Sequence, residues 1–434
     1  MAAKGPECIG IGLLGLGVVG SGVAQSLMFK AEGIGEQVGC PVILKKVLVR
    51  TLRKKRPLKL DPSLITTDSN QILDDPNIAV VVEVMGGEEP AHTYIQRALR
   101  SRKHVVTANK EVMAKHSSNL LRMAEECGVG IFYEASVGGG IPLIGPLKRD
   151  LVVNRVSSIY AIINGTTNYI LSKMSSEGVE FNAALRVAQD LGFAESDPAN
   201  DIEGTDAAYK LAILAGLAFR AEISARDVYR EGITGLTEHD FRYAKELGYA
   251  IKLLAIGTDL DDAIEVRVHP VFIPESFLLA KVEGVYNAVQ IEGDMIGKVL
   301  FYGEGAGAMP TSSAVIGDII TAGRSIVSEC GYRYRVGCIR SKVVSPMSQI
   351  ETRYYVRMSI LDQPGVLSQI AKVLGDWEIS ISSVIQKEAD PASGTAEIVI
   401  MTHRAREESM QRALTKMRNL RAVKEIGSFI RVEV

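Results

Sequence analysis

Residues 9–29 carry no charge and are largely apolar, a length that by itself admits a membrane helix. Six glycines between Gly10 and Gly22 oppose that reading, since each glycine inside a helix costs about 1 kcal/mol against alanine. A strand, a tight turn and a helix accommodate them. The turn is Gly15, Leu16, Gly17, Val18, Val19, Gly20, which is the spacing Gly-x-Gly-x-x-Gly. In a dinucleotide site the first glycine makes the turn and the second lets the backbone approach a pyrophosphate. The third lets helix and strand pack closely. The helix that follows aims its N-terminal N–H groups at phosphate. The spacing alone is a weak signal, and its position between a strand and a helix is what strengthens it.

The rest of the first 134 residues supports that context. Apolar runs at 8–14, 42–49, 78–84, 104–107 and 130–133 read as strands. Residues 18–30, 90–100 and 111–127 read as helices. Strands alternating with helices imply a parallel sheet of the Rossmann type. Residues 135–344 are mixed. Strands are expected at 155–163, 250–260 and 263–271, and helices at 166–175, 182–191 and 204–218, which suits an α+β domain. Residues 345–351 are polar and read as a linker. Residues 353–434 read strand, helix, strand, strand, helix, strand, the ferredoxin-like order.

A chain of 434 residues is too long for one hydrophobic core, which agrees with three domains. Lys and Arg number 49 against 51 Asp and Glu, so bulk charge gives no reason to expect nucleic acid. The cysteines are Cys8, Cys40, Cys127, Cys330 and Cys338. They are odd in number and scattered, which argues against disulfides and zinc and fits a reducing cytosol.

Seven motifs carry candidate chemistry. The glycine turn is the first. The second strand ends on Arg50, followed by Arg53, Lys54, Lys55 and Arg56, where NAD-binding chains usually place a carboxylate. A guanidinium there grips a 2′-phosphate in bidentate fashion and favours NADP, although a solvated basic loop has the same composition. Thr107 and Lys110 end a strand, where open parallel sheets bind ligands. Glu195 lies in a turn at 192–198, followed by Asp206 and Lys210, four apart and so on one helix face. Carbonyl reduction builds negative charge on oxygen, which a held lysine stabilises and protonates. A surface ion pair has the same spacing. The run 134–142 can present backbone carbonyls, with Glu134, to a hard monovalent cation, or serve as a hinge. Residues 303–313 form a second glycine-rich turn into a helix, either returning to the cofactor or simply starting that helix. Asp362, Gly365 and Val366 form a turn before a helix, suited to a small carboxylate ligand or to a purely structural role.

Taken in order, these segments, with 164–169, resemble homoserine dehydrogenase in its long bacterial form with a C-terminal ACT domain. The resemblance implies NAD(P)H-dependent interconversion of L-aspartate 4-semialdehyde and L-homoserine, on the route from aspartate to threonine and methionine. It implies that Lys210 exchanges the proton. Glu195, Asp206, Lys110 and Thr166 would bind substrate, and Thr107, Lys110, Gly192 and Gly305 would join the glycine turn at the cofactor. Glu134, Val137, Gly139 and Ile141 match the family's sodium site. The ACT module implies feedback control, most plausibly by threonine, in a homodimer or homotetramer. The rival readings are another amino-acid NADP oxidoreductase and a non-catalytic amino-acid sensor.

Overall fold

The computed structural model describes residues 6–53, 58–328, 342–390 and 393–433. Lys54, Lys55, Arg56, Cys330 and Cys338 lie outside the described residues. The chain divides into two compact units. One comprises Met1–Val156, Tyr209–Asp227 and Glu292–Lys342, and the other Ser157–Ala208, Val228–Ile291 and Val343–Val434.

The first unit is built on a parallel sheet. Its order is Ile65–Thr66, Val42–Leu48, Ile9–Leu14, Val80–Glu83, His104–Thr107, Ile131–Phe132. Numbered along the chain this is 3-2-1-4-5-6, the doubly wound order in which dinucleotides sit where the strand order reverses. Every residue of Ile9–Leu14 and Val80–Glu83 is buried, as a sheet covered on both faces requires. The expected elements are present within a few residues of their ends, and Ala31–Val38 adds a helix the periodicity did not suggest. The helix Ala308–Val327 returns to this unit from late in the chain. Ser312 Oγ donates to Val19 O at 3.1 Å. Val315, Ile319 and Ala322 share a core with Ile9, Leu27 and Val38.

In the second unit, Val156–Ile162, Tyr249–Asp259 and Ala263–Pro274 are antiparallel neighbours. The C-terminal module has the strand order Val423–Val432, Glu351–Leu361, Thr395–Thr402, Ile381–Asp390, all antiparallel. Its helices Val366–Asp376 and Glu407–Arg418 bury Ile370, Leu374, Met410 and Leu414 against Met358 and Ile398. This is the ferredoxin-like fold. The sheet does not stop at the module's edge. Val271 pairs with Arg431 and Phe272 with Val432, so the Ala263–Pro274 strand continues into it.

Buried charge holds that join. Arg431, 1% exposed, donates to Glu407 at 2.9 and 2.7 Å and to Glu231 at 2.8 Å. Arg357 donates to Asp240 at 2.9 Å and Glu397 at 2.9 Å. Asp240, on the helix Glu238–Glu246, also accepts from Tyr355 Oη and Ser428 Oγ. Removing one partner of such a pair strands a buried charge and costs about 3–5 kcal/mol.

The polar run 345–351 is not a free linker. Val343–Val344 pairs with Ala263 and Ile264, Ser345 N donates to Ile264 O at 2.8 Å, and Glu351 already opens a strand. Polar side chains say nothing about where the backbone N–H groups go, and here they complete a strand edge.

One half-buried group makes the first unit acid-sensitive. His104 Nδ1 accepts from Gly130 N at 3.0 Å, and burial pulls the imidazole from its ordinary 6.5 down to about 4. Between those values the unfolded chain binds a proton that the folded chain does not, so stability falls as pH falls through that window, by up to about 3 kcal/mol. His104→Gln keeps an acceptor without the titration. Its denaturation midpoint, followed by urea melts from pH 7 to pH 4.5, is expected to fall less steeply than that of the parent. Parallel slopes would refute the assignment.

Candidate functional site

In the first unit the glycine turn is shaped for a large ligand. Gly15 has φ +106°, and a Cβ there would lie 3.0 Å from Val84 O. A Cβ on Gly20 would lie 2.2 Å from Gly15 O, so only glycine lets the Val18–Phe29 helix start this close to the strand. Around Gly17 a Cβ would meet nothing within 4 Å, leaving its backbone approachable. The residues present therefore fit a dinucleotide pyrophosphate. Arg50 follows the second strand and is exposed.

The strand ends beside this turn carry a polar network. Thr107 Oγ1 donates to Glu83 Oε2 at 2.6 Å, and Met85 N donates to Glu83 Oε1 at 2.8 Å. Burial raises the Glu83 carboxyl above its ordinary value, and these hydrogen bonds oppose the rise. Asn109 accepts from Val112 N at 3.1 Å and so caps the helix that begins at Lys110. On that helix Lys115 Nζ lies 5.9 Å from the Tyr209 ring, which sets it beside the helix that carries Lys210.

The 134–142 turn and the 303–313 turn meet in this unit. Gly140 N donates to Glu304 O at 3.2 Å, and a Cβ on Gly139 would lie 2.5 Å from Gly305 O. The Glu134 carboxylate accepts from Leu143 N at 2.5 Å, Ile144 N at 2.8 Å and Gly145 N at 2.6 Å. It thus caps the Ile144–Lys148 helix, and its side chain is engaged there. Val137 and Ile141 are buried, and Gly139 is left-handed at φ +57°.

The second unit holds the candidate substrate groups Thr166, Glu195 and Asp206, whereas Lys110 and Lys210 belong to the first. Asn164 ends the Val156–Ile162 strand and caps the Gly165–Glu177 helix, its Oδ1 accepting from Thr167 N at 2.8 Å. Its amide nitrogen donates to Asp201 Oδ1 at 2.7 Å and to Asp206 Oδ2 at 2.9 Å. Asp206 is 4% exposed and begins the helix Thr205–Ala218, on which Lys210, 9% exposed, lies one turn later. Glu195 is exposed, in a turn joined to its neighbours by Gln189 Nε2 donating to Glu195 O at 3.1 Å. Gly192, at φ +76°, starts that turn, and Thr166 Oγ1 donates to Phe193 O at 2.7 Å.

Comparison with known proteins gives this arrangement a family. Residues 142–320 match the family homoserine dehydrogenase, 15–134 its NAD-binding domain, and 354–422 the ACT domain. A homoserine dehydrogenase of Synechocystis is 46% identical over 90% of this chain and 92% of its own length. The chain belongs to the homoserine dehydrogenase family. As a homoserine dehydrogenase it is an NAD(P)-dependent oxidoreductase of amino-acid biosynthesis with a C-terminal ACT module. The crystal structure of a homoserine dehydrogenase from Thiobacillus denitrificans superimposes with TM-score 0.93 at 40% identity, covering 99% of each chain. A hyperthermophilic archaeal homoserine dehydrogenase solved with NADPH aligns at TM-score 0.62 and 27% identity, covering 73% of this chain and 97% of that one.

In the ACT module of this homoserine dehydrogenase, Gly365 takes φ +84° and starts the Val366–Asp376 helix, with Val366 buried. Asp362 is exposed and accepts weakly from Gln386 at 3.4 Å. Among the described residues no helix is long and apolar enough to cross a membrane.

Two roles were not legible in the sequence. Glu83 gave only the hint of an acid closing a run of valines. Asn164 opened the 164–169 segment of the resemblance but gave no hint of its own role, because its bridge joins residues 37 and 42 positions away. Each charge-assisted bond from Asn164 is worth about 1.5–3 kcal/mol. Asn164→Ala is therefore expected to lower kcat/KM for homoserine by at least about 10²-fold. Asn164→Asp, which adds a third carboxylate, is expected to lose more and to shift the pH profile. Steady-state kinetics across pH reads both, and near-parental values in either variant would contradict the bridging role.

Proposed function

We propose that this homoserine dehydrogenase reduces L-aspartate 4-semialdehyde with Lys210 as proton donor, and that NADP(H) is its preferred cofactor. The bridge from Asn164 to Asp201 and Asp206 carries the reading, because it fixes a buried carboxylate one helical turn before a buried lysine. When bound, the nicotinamide supplies the hydride. Asp206, with Glu195, holds the substrate's ammonium and so orients the aldehyde, and Lys110 and Thr166 position the rest of the substrate. Lys210 Nζ stabilises the forming alkoxide and gives it a proton; in the reverse direction it takes one from the hydroxyl. Gly192, Gly305 and Thr107 complete the cofactor's surroundings.

The Glu134, Val137, Gly139 and Ile141 segment fits a hard monovalent cation such as sodium by donor chemistry. Its carboxylate is engaged by three amides, so the oxygens it offers are backbone carbonyls. Threonine, acting through the ACT module, is the proposed feedback inhibitor, and the enzyme is proposed to work as a homodimer or homotetramer.

Lys210→Ala is expected to lose about 10²–10⁴-fold in kcat, the usual worth of a positioned acid, while NADP affinity stays within about twofold. Rates from nicotinamide absorbance and affinity from fluorescence titration test this; near-normal turnover would remove Lys210 from the mechanism. For Arg50→Glu, the ratio of kcat/KM with NADP to that with NAD is expected to fall at least about tenfold, since a carboxylate there repels the 2′-phosphate. An unchanged ratio would assign Arg50 to the solvated surface.

A further inference from the structure

A carboxylate at the end of a run of buried valines calls for a reason. Glu83 is 0% exposed and closes the strand Val80–Glu83, whose other residues are all valine. A fourth valine would fill the position without the cost of taking a charge out of water. Glu83 instead gathers hydrogen-bond donors. Thr107 Oγ1 and Met85 N each reach one of its oxygens, at 2.6 and 2.8 Å, and Gly86 N and the Asn109 side-chain amide also donate to it. We propose that Glu83 is a positioning residue for the nicotinamide half of the cofactor, fixing the loop 84–88 and the start of the Lys110–Cys127 helix as one platform.

The donors come from two neighbouring strand ends. Asn109 N donates to Thr107 Oγ1 at 3.0 Å, while the Thr107 hydroxyl gives its own hydrogen to Glu83. Asn109 Nδ2 donates to Gly87 O at 2.7 Å, and Asn109 Oδ1 caps the helix. Backbone bonds complete the tie. Ala108 N donates to Glu83 O at 3.1 Å, and Val84 N donates to Leu14 O at 3.0 Å, just before the glycine turn. One carboxylate therefore holds both the loop after one strand and the helix after the next. Asn109 does in the first unit what Asn164 does in the second: its oxygen faces a helix start and its nitrogen a carboxylate.

The sheet order says which half of the cofactor this platform meets. The order 3-2-1-4-5-6 reverses between the first and fourth strands, where a dinucleotide crosses the crevice. The glycine turn after the first strand takes the pyrophosphate, and the end of the second strand is where such sites meet the adenosine ribose. The fourth and fifth strands lie on the other side of the first, so their ends fall to the nicotinamide half. The loop is open there. Gly86 and Gly87 are exposed, at φ +76° and +74°, and a Cβ on either would meet nothing within 4 Å. Backbone without side chains thus permits close approach of a ligand, and Glu83 holds that backbone from its buried side.

The inference does not depend on a preference for NADP, because both cofactors carry the same nicotinamide riboside. The test is binding by the full-length enzyme, read by fluorescence titration for NADPH and NADH and by calorimetry for ADP. ADP has the adenosine and the pyrophosphate but no nicotinamide riboside. Glu83→Gln keeps the shape, removes the charge and sets an NH₂ group against one of the donors. Asn109→Asp keeps a helix cap and replaces the amide facing Glu83 with a second carboxylate. Each is expected to weaken NADPH and NADH by similar factors, at least about tenfold, and to leave ADP within about twofold of the parent. A support for the sheet as a whole would instead weaken all three ligands alike. Parental NADPH affinity in Glu83→Gln overturns the proposal, and so does a loss that extends equally to ADP. Should Glu83→Gln fail to fold, Asn109→Asp decides by the same two results.

Discussion

The side-chain amide of Asn164 has to face two carboxylates at once. Its oxygen is held by Thr167 N, the third amide of the helix it caps, so its nitrogen turns the other way, toward Asp201 and Asp206. A helix cap therefore fixes the orientation of the acidic pair. Three segments distant in sequence converge there: the end of a strand, the short helix Ala199–Ile202 and the start of the helix Thr205–Ala218. The lysine proposed as proton donor is carried on the last of these. Its position relative to Asp206 is set by helical geometry and does not depend on a flexible loop.

The ACT module is tied to the same unit by backbone pairing and buried charge. The strand Ala263–Pro274 pairs with Val423–Val432, and Arg431 and Arg357 fix the module to Glu231 and Asp240. Such pairs contribute little net stability against an apolar equivalent, but they fix register, because any displacement leaves a buried charge alone. The Ser345 bond to Ile264 removes the slack that a polar linker would have given.

The sequence was most legible where a local physical rule decides the structure. The glycines at 15, 17 and 20 foretold a turn, and the structure shows why each is needed: a left-handed φ, an open approach and a close helix start. Period and β-branching placed the strands of the parallel sheet. The helix Glu238–Glu246 and the strands Tyr286–Gly293 and Gly297–Glu304 were not expected; the helix does carry a local sign, the Thr237–Asp240 capping box, while the Gly297–Glu304 strand buries none of its residues and so shows no apolar alternation. Asp206 and Lys210 were visible as an i,i+4 pair but could not be told from a surface ion pair until their burial was known. Asn164 carries no local sign of its role, and the polar run at 345–351 gave the wrong one.

The central proposal is that this constellation oxidises and re-forms homoserine with NADP as the preferred cofactor. Homoserine-dependent appearance of reduced nicotinamide, followed by absorbance with the purified chain and each cofactor in turn, tests it most directly. The account predicts turnover with both cofactors and a higher kcat/KM with NADP. No homoserine-dependent reduction of either cofactor would contradict it.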